Sequence, residues 1–305
     1  MIRSLLTRIA DATVGRRLDR LESDIYSLRP RLDRNAMLMG RQLTNQFRSS
    51  GPLPSLRDAE FRVFSQAGED GIIQYLISRV PIQRDIFIEF GVEDYRESNT
   101  RFLMMQDNWR GLVLDGSERN IKAIRNQSYY AHHDLTAMAS FVTAETINPT
   151  ITDAGIEGDI GLLSIDIDGN DYWVWKAIQV ISPRIVICEY NSVLGNQDAV
   201  TIPYDPAFVR STAHPSYLYF GASLKALVTL GEQKGYCFVG CNSAGSNAFF
   251  VRRDCMSDLV PQEVESGYVE SRFREARDQE GRLSFVTGEA RRSLIEHLPL
   301  IDVSR

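Results

Sequence analysis

The stretch L-L-S-I-D-I-D-G-N-D-Y-W-V-W, from Leu162 to Trp175, constrains the fold of this chain more than any other. An apolar run ends in three carboxylates, Asp166, Asp168 and Asp171, gathered around Gly169. Near-continuous apolar sequence marks a parallel strand covered on both faces, and ligands of open α/β sheets bind where such strands end. Asp166 and Asp168 stand two apart, so on extended backbone they point the same way. Asp171 falls in the first turn of the helix expected next, where a carboxylate also serves as a helix start. Two aligned acids at the mouth of a buried strand point to a site.

The chain has 305 residues, room for one large α/β domain with extensions. Its 43% hydrophobic and 24% charged content is that of a globular protein. A net charge of −6 argues against non-specific nucleic-acid binding, which needs an excess of Lys and Arg. No apolar run approaches the ~18 residues of a membrane helix, and the N-terminal M-I-R-S-L-L-T-R-I-A-D lacks a secretory apolar core. Cys188, Cys237, Cys241 and Cys255 form no C-x-x-C pair and read as reduced thiols of a cytoplasmic protein.

Three regions are expected: residues 1–54, 55–254 and 255–305. In the first, Val14, Leu18, Leu21, Ile25, Leu28 and Leu32 repeat at heptad-like steps until Pro30 interrupts them. This amphipathic helix either packs on its own domain or serves self-association. Arg3, Arg8, Arg16 and Arg17 would also allow peripheral contact with the inner face of a membrane. A linker from Ser49 to Pro54 follows. The middle region alternates: a helix with Ile72, Ile73, Leu76, Ile77 and Val80 inward, strand I-F-I-E-F, a short helix from Asn99, strand G-L-V-L-D, and a helix capped by Ser117. A third strand is expected near Tyr129–Ala131, a fourth at Leu162–Ile167 and a fifth ending at Tyr190. Helix Leu224–Lys234, capped by Ser223, and a hairpin of Tyr236–Val239 with Ala248–Val251 complete the region. The pattern predicts a Rossmann-like, doubly wound and mostly parallel sheet with an antiparallel hairpin at one edge. The charged last fifty residues read as a helical tail.

Each predicted strand ends in polar groups: Glu89-Phe90-Gly91, Asp115-Gly116-Ser117, His132-His133-Asp134, Asp166 with Asp168, and Glu189-Tyr190-Asn191. Burying carboxylates is costly unless something pairs with them, and a shared ligand would. A dinucleotide needs G-x-G-x-x-G after the first strand, but this turn is G-V-E-D-Y-R-E, whose Glu93, Asp94 and Glu97 repel phosphate. No G-x-x-x-x-G-K-[ST] is present. A cationic nucleoside without phosphates, such as S-adenosylmethionine, suits an acidic rim better.

The motifs F-S-Q-A-G-E-D-G-I-I (Phe64–Ile73), F-I-E-F-G-V-E (Phe87–Glu93), S-I-D-I-D-G-N-D-Y-W (Ser164–Trp173), C-E-Y-N-S (Cys188–Ser192), F-G-A-S-L-K-A-L (Phe220–Leu227) and N-A-F-F-V-R (Asn247–Arg252) occur in that order. With them the chain resembles the FkbM-type class I S-adenosylmethionine-dependent methyltransferases, a branch tied to surface-glycan and sugar modification, over roughly residues 61 to 254. The resemblance implies a methyl donor lying across Glu89 and Gly91, with Asp115 on its ribose, His133 and Asp134 near adenine, Asp166 alongside, and Gln66 and Glu69 facing its amino-acid end. Family members commonly have a second glycine where this chain has Glu93.

Methyl transfer is an in-line displacement, so alignment and removal of the acceptor's proton are what catalysis must supply. By analogy with metal-dependent macrolide-sugar O-methyltransferases, Asp168, Glu189 and Asn191 could hold Mg²⁺, with Asp171 as base. The alternative for Asp171 is a helix cap, and for Glu189 a paired structural acid. The expected acceptor is a sugar or glycan hydroxyl, with residues 191–219 as its lid and His214 able to reach over it. Two other readings remain: a glycosyltransferase using D-I-D as a D-x-D metal motif, and a non-catalytic scaffold.

Overall fold

The apolar runs become strands because their side chains are buried on both faces of one sheet. The computed structural model describes residues 17, 20, 28 and 31–305. Most of the N-terminal heptad stripe, and with it the expected self-association or membrane contact, lies outside the described residues. What is described of that region is helix α1 (residues 31–49), whose Thr44 and Phe47 are buried. Phe47 stacks on Phe61 and meets Tyr75 edge-on, so this end of the helix packs on its own domain. The linker is pinned as well, since Arg79 donates to the carbonyls of Ser50 and Gly51.

Helix α2 (Glu69–Arg79) leads into β1 (Ile86–Phe90), α3 (Arg101–Asp107), β2 (Arg110–Asp115), α4 (Glu118–Arg125), β3 (Leu135–Ala139), α5 (Ile147–Asp153), β4 (Gly158–Ile165), α6 (Asp171–Ala177) and β5 (Ile181–Glu189). Then come β6 (Val200–Thr201), α7 (Arg210–Ala213), α8 (Leu224–Gln233), β7 (Tyr236–Cys241) and β8 (Asn247–Arg252). The seven-stranded sheet runs β3-β2-β1-β4-β5-β8-β7. Strands β1 to β5 are parallel, and β8 is antiparallel to both its neighbours. This is the doubly wound sheet with an antiparallel edge hairpin that the pattern predicts.

Strand alternation divides the core in two. Ile88, Phe90, Leu163, Ile165 and Val186 join Trp175, Leu224 and Leu227 on one face. Phe87, Leu162, Ile185 and Ile187 join Ile72, Leu76, Leu103 and Ile121 on the other. The expected caps are in place: Ser117 Oγ accepts from Asn120 N, and Ser223 Oγ from Ala226 N.

Two expectations are corrected. Residues 128–131 form a 3-10 turn, and the third strand is Leu135–Ala139. The tail is largely irregular, with only α9 (Val264–Gly267), α10 (Glu289–Ser293) and β9 (Ile301–Asp302) as elements. It is not a separate helical extension: β9 pairs with β6, and Tyr268 donates to the carbonyl of Ser192. Among the described residues no helix is long and apolar enough to cross a membrane.

The sheet's order reverses between β1 and β4, the usual place for a ligand crevice. There Gly91 adopts φ +73°, and a Cβ on it would stand 1.6 Å from the carbonyl oxygen of Asp166. Gly91→Ala must therefore push the two strand ends apart. Chemical denaturation should show a loss of about 3 kcal/mol or more, and an unchanged midpoint would contradict this packing.

Candidate functional site

A cleft of about 1000 Å³ opens at the carboxyl ends of the parallel strands and crosses the β1/β4 junction. One wall is made of strand ends. The other comes from residues 208–220 and from the tail between Ser271 and Arg291.

On the first wall Glu89 is buried. Its carboxylate accepts from Ser98 Oγ (2.7 Å), Asn99 N (2.8 Å), Thr100 N (3.1 Å) and Thr100 Oγ1 (2.5 Å). Burial raises its pKa, and these four donors oppose the rise. A carboxylate offers about four acceptor directions, so Glu89 lines the cleft chiefly by holding the 98–100 loop in place. Asp115 receives Glu93 N, Ser117 N and Asn120 Nδ2 at 2.8, 2.8 and 2.9 Å, which leaves one direction for a ligand hydroxyl. Glu93 sits at φ +47°, the left-handed conformation that favours glycine. Burial, then the nearby Asp115, Asp94, Asp168 and Glu97, raise its pKa.

Strands β4 and β5, paired as far as Ile165 and Cys188, bring the carboxyl groups of Asp166 and Glu189 together. Both pKa values are pushed well up, first by burial. Asp168, Asp171 and Glu89 raise Asp166 further while Glu189 opposes the rise, and Asp166, Asp168 and Asp171 raise Glu189 while Arg210 opposes it. The pair therefore retains a proton where an exposed acid would not. Glu189 Oε2 is buried and makes no hydrogen bond among the described residues.

Asp171 is fully buried and accepts from the amides of Ile167 and Gly169, both at 2.9 Å. It closes the turn after β4, and burial lifts its pKa to about 6 against the pull of those amides. Its place is that of a turn and helix-start residue, so the assignment of base is withdrawn. Gly169 leaves room for Phe208, whose ring a Cβ would meet at 2.3 Å.

The metal expectation does not fit either. Asp168 is turned toward Arg210, with Oδ1 2.5 Å from Nη1. Asn191 spends its amide on the carbonyls of Leu218 and Phe220 and its Oδ1 on Val193 N. No group of three acids, histidines or cysteines able to hold a metal ion occurs among the described residues. A cation of the chain's own stands there instead. Arg210 bridges Asp168 and Glu275 (2.8 Å), donates to the carbonyl of Tyr217 and lies 3.7 Å over the Phe220 ring. In the D-I-D motif Asp166 thus sits beside Glu189 and Asp168 is held by Arg210, which removes the ground for a D-x-D metal site.

Other expected residues fall in different places. Gln66 is exposed and lines the cleft. Glu69 is fully buried, accepting from Asn242 Nδ2 (2.6 Å) and Asn247 Nδ2 (3.0 Å), and so ties α2 to the β7–β8 hairpin. His133 and Asp134 precede β3, at the opposite rim of the sheet. There His133 meets Asn108 at 3.2 Å and Asp134 pairs with Arg110 at 3.8 Å. The residues that follow β3 into the cleft are Ser140, Phe141 and Val142. His214 bonds Ser216 (2.8 Å), away from the cleft lining. Phe141, Arg210 and the tail arginines were not foreseen; a correct end for β3 would have found Phe141.

No family model matches the chain, and no curated protein matches it. Among solved structures, a S-adenosylmethionine-dependent methyltransferase from Clostridium acetobutylicum is 12% identical, covering 60% of this chain and 90% of its own at a TM-score of 0.38. An O-methyltransferase from Bacillus cereus in complex with SAH is 16% identical (54% and 72% covered, TM-score 0.34). Precorrin-6y C5,15-methyltransferase from Geobacter metallireducens is 12% identical (63% and 90%, TM-score 0.35). Likenesses this distant carry no weight for chemistry, and the fold assignment rests on the strand order.

Asp171→Asn sets an amide NH₂ against a backbone N–H. It should cost about 1–3 kcal/mol in urea denaturation. A variant as stable as the parent would show that the carboxylate does not close the turn.

Proposed function

We propose that this chain is an S-adenosylmethionine-dependent O-methyltransferase acting on a sugar or glycan hydroxyl. The observation that carries the reading is the polarity of the strand-end wall. Glu93, Asp115, Asp166 and Glu189 line it, and Glu189 Oε2, Asn170 Oδ1 and Asn247 Oδ1 are acceptors without donors among the described residues. Such a wall favours a cationic, donor-rich ligand and repels phosphate. The sulfonium nucleoside supplies the charge, the ammonium and the ribose hydroxyls. Asp115 would take a ribose hydroxyl and Phe141 would cover the adenine. The order of motifs that resembles the FkbM-type enzymes supports the same donor and the sugar acceptor.

In the transfer, the acceptor oxygen attacks the methyl carbon as the carbon–sulfur bond breaks, and the sulfur keeps the bonding pair as a thioether. The acceptor proton passes to a carboxylate. The Asp166–Glu189 pair takes this role in place of Asp171, because it combines high proton affinity with a place in the cleft lining. A cationic donor beside the pair lowers both pKa values and frees the proton, readying one carboxylate to accept another.

The sign of the pH effect follows. Because both pKa values are raised well above the usual carboxylate range in the free protein, S-adenosylmethionine should bind more tightly as pH rises and the pair loses its proton. Calorimetry should show this together with proton release, and Glu189→Gln should flatten the trend. Asp115→Asn should weaken S-adenosylhomocysteine binding about tenfold, ~1.4 kcal/mol. Absence of binding by either nucleoside, or preferential binding of a nucleotide-diphosphate sugar, would overturn the proposal.

A further inference from the structure

The second wall of the cleft has the opposite polarity from the first. Four arginines line it: Arg210, Arg274, Arg277 and Arg291. Two are neutralised within the chain, Arg210 by Asp168 and Glu275, and Arg291 by Glu270 at 2.8 Å. The other two pair with no carboxylate among the described residues. Asp278, next in sequence, is committed to Arg282 at 3.0 Å. Arg274 is exposed to the cleft and makes no polar contact among the described residues. Arg277 is steadied by a bond from Nη1 to the carbonyl of Gly281 (2.8 Å) and by the Tyr217 ring 5.0 Å beneath it. The Nε atoms of Arg277 and Arg291 are buried donors that make no hydrogen bond among the described residues.

Unmatched donors thus gather on one wall and unmatched acceptors on the other. The methyl donor brings a single carboxylate of its own, fewer than the two guanidinium groups left without an acid, so the cleft has a place for a second, anionic ligand beside the cationic one. Resting on the methyltransferase reading, we propose that the acceptor sugar carries an anionic group, a phosphate ester or a carboxylate, gripped by Arg274 and Arg277. Guanidinium groups bind both kinds of anion through paired N–H donors. A neutral sugar would leave both guanidinium groups without an anionic partner. The Tyr217 face beside Arg277 offers the sugar ring a stacking surface.

The test is calorimetric titration of the full chain, with and without saturating S-adenosylhomocysteine, using glucose 1-phosphate, glucuronate and glucose as probes. The expected result is binding of at least one anionic probe at least tenfold tighter than glucose, weakening as salt rises. Preference for the phosphate or for the carboxylate identifies the anion. Arg274→Gln removes a side chain without polar contacts, so the fold should survive and the preference should fall about tenfold; Arg277→Gln should act in the same direction. Equal affinity for neutral and anionic probes, or a preference unchanged in both variants, overturns the inference. Failure of S-adenosylhomocysteine to bind sinks the methyltransferase reading instead, and the probe preference is then read from the titrations without it.

Discussion

Moving a carboxylate out of water costs more than one hydrogen bond returns, and four adjacent strands of this sheet end in such groups. The structure meets that cost differently at each. Glu89 is saturated by a loop that it holds in place. Asp115 is nearly saturated by the turn that follows it. Asp171 is satisfied by two amides of its own turn. Asp166 and Glu189 have no such set of donors, and burial drives both toward the protonated form. The residues that keep free capacity are those that chemistry can use.

The parallel strands were legible because burial on both faces leaves a run of apolar residues, as in I-F-I-E-F and L-L-S-I. Helix starts were legible at Ser117 and Ser223, where a hydroxyl precedes the first turn. The third strand was misplaced for a physical reason. Tyr129 and Tyr130 carry strong strand propensity, whereas L-T-A-M-A takes its strand from pairing with β2. That slip moved His133 and Asp134 to the wrong rim and hid Phe141.

The roles of the acids were less legible than their positions. Alternation placed Asp166 and Asp168 together, but the backbone leaves the strand after Ile165 and Asp168 adopts φ +56°. Its partner Arg210 lies 42 residues away, beyond the reach of local pattern. The same holds for the tail. Its charges suggested a solvated helix, yet several of them line a wall of the cleft, where Glu275 pairs with Arg210.

The strip joining β6 to β9 has a consequence for biosynthesis. The large sheet is complete at Arg252, while the opposing wall is anchored by Ile301 and Asp302, about fifty residues downstream. At ~5–20 residues per second, several seconds separate synthesis of the last strand of the large sheet from synthesis of that anchor. On the proposed function, the methyl donor's side of the cleft is therefore synthesised before the anchor of the wall proposed to hold its co-substrate.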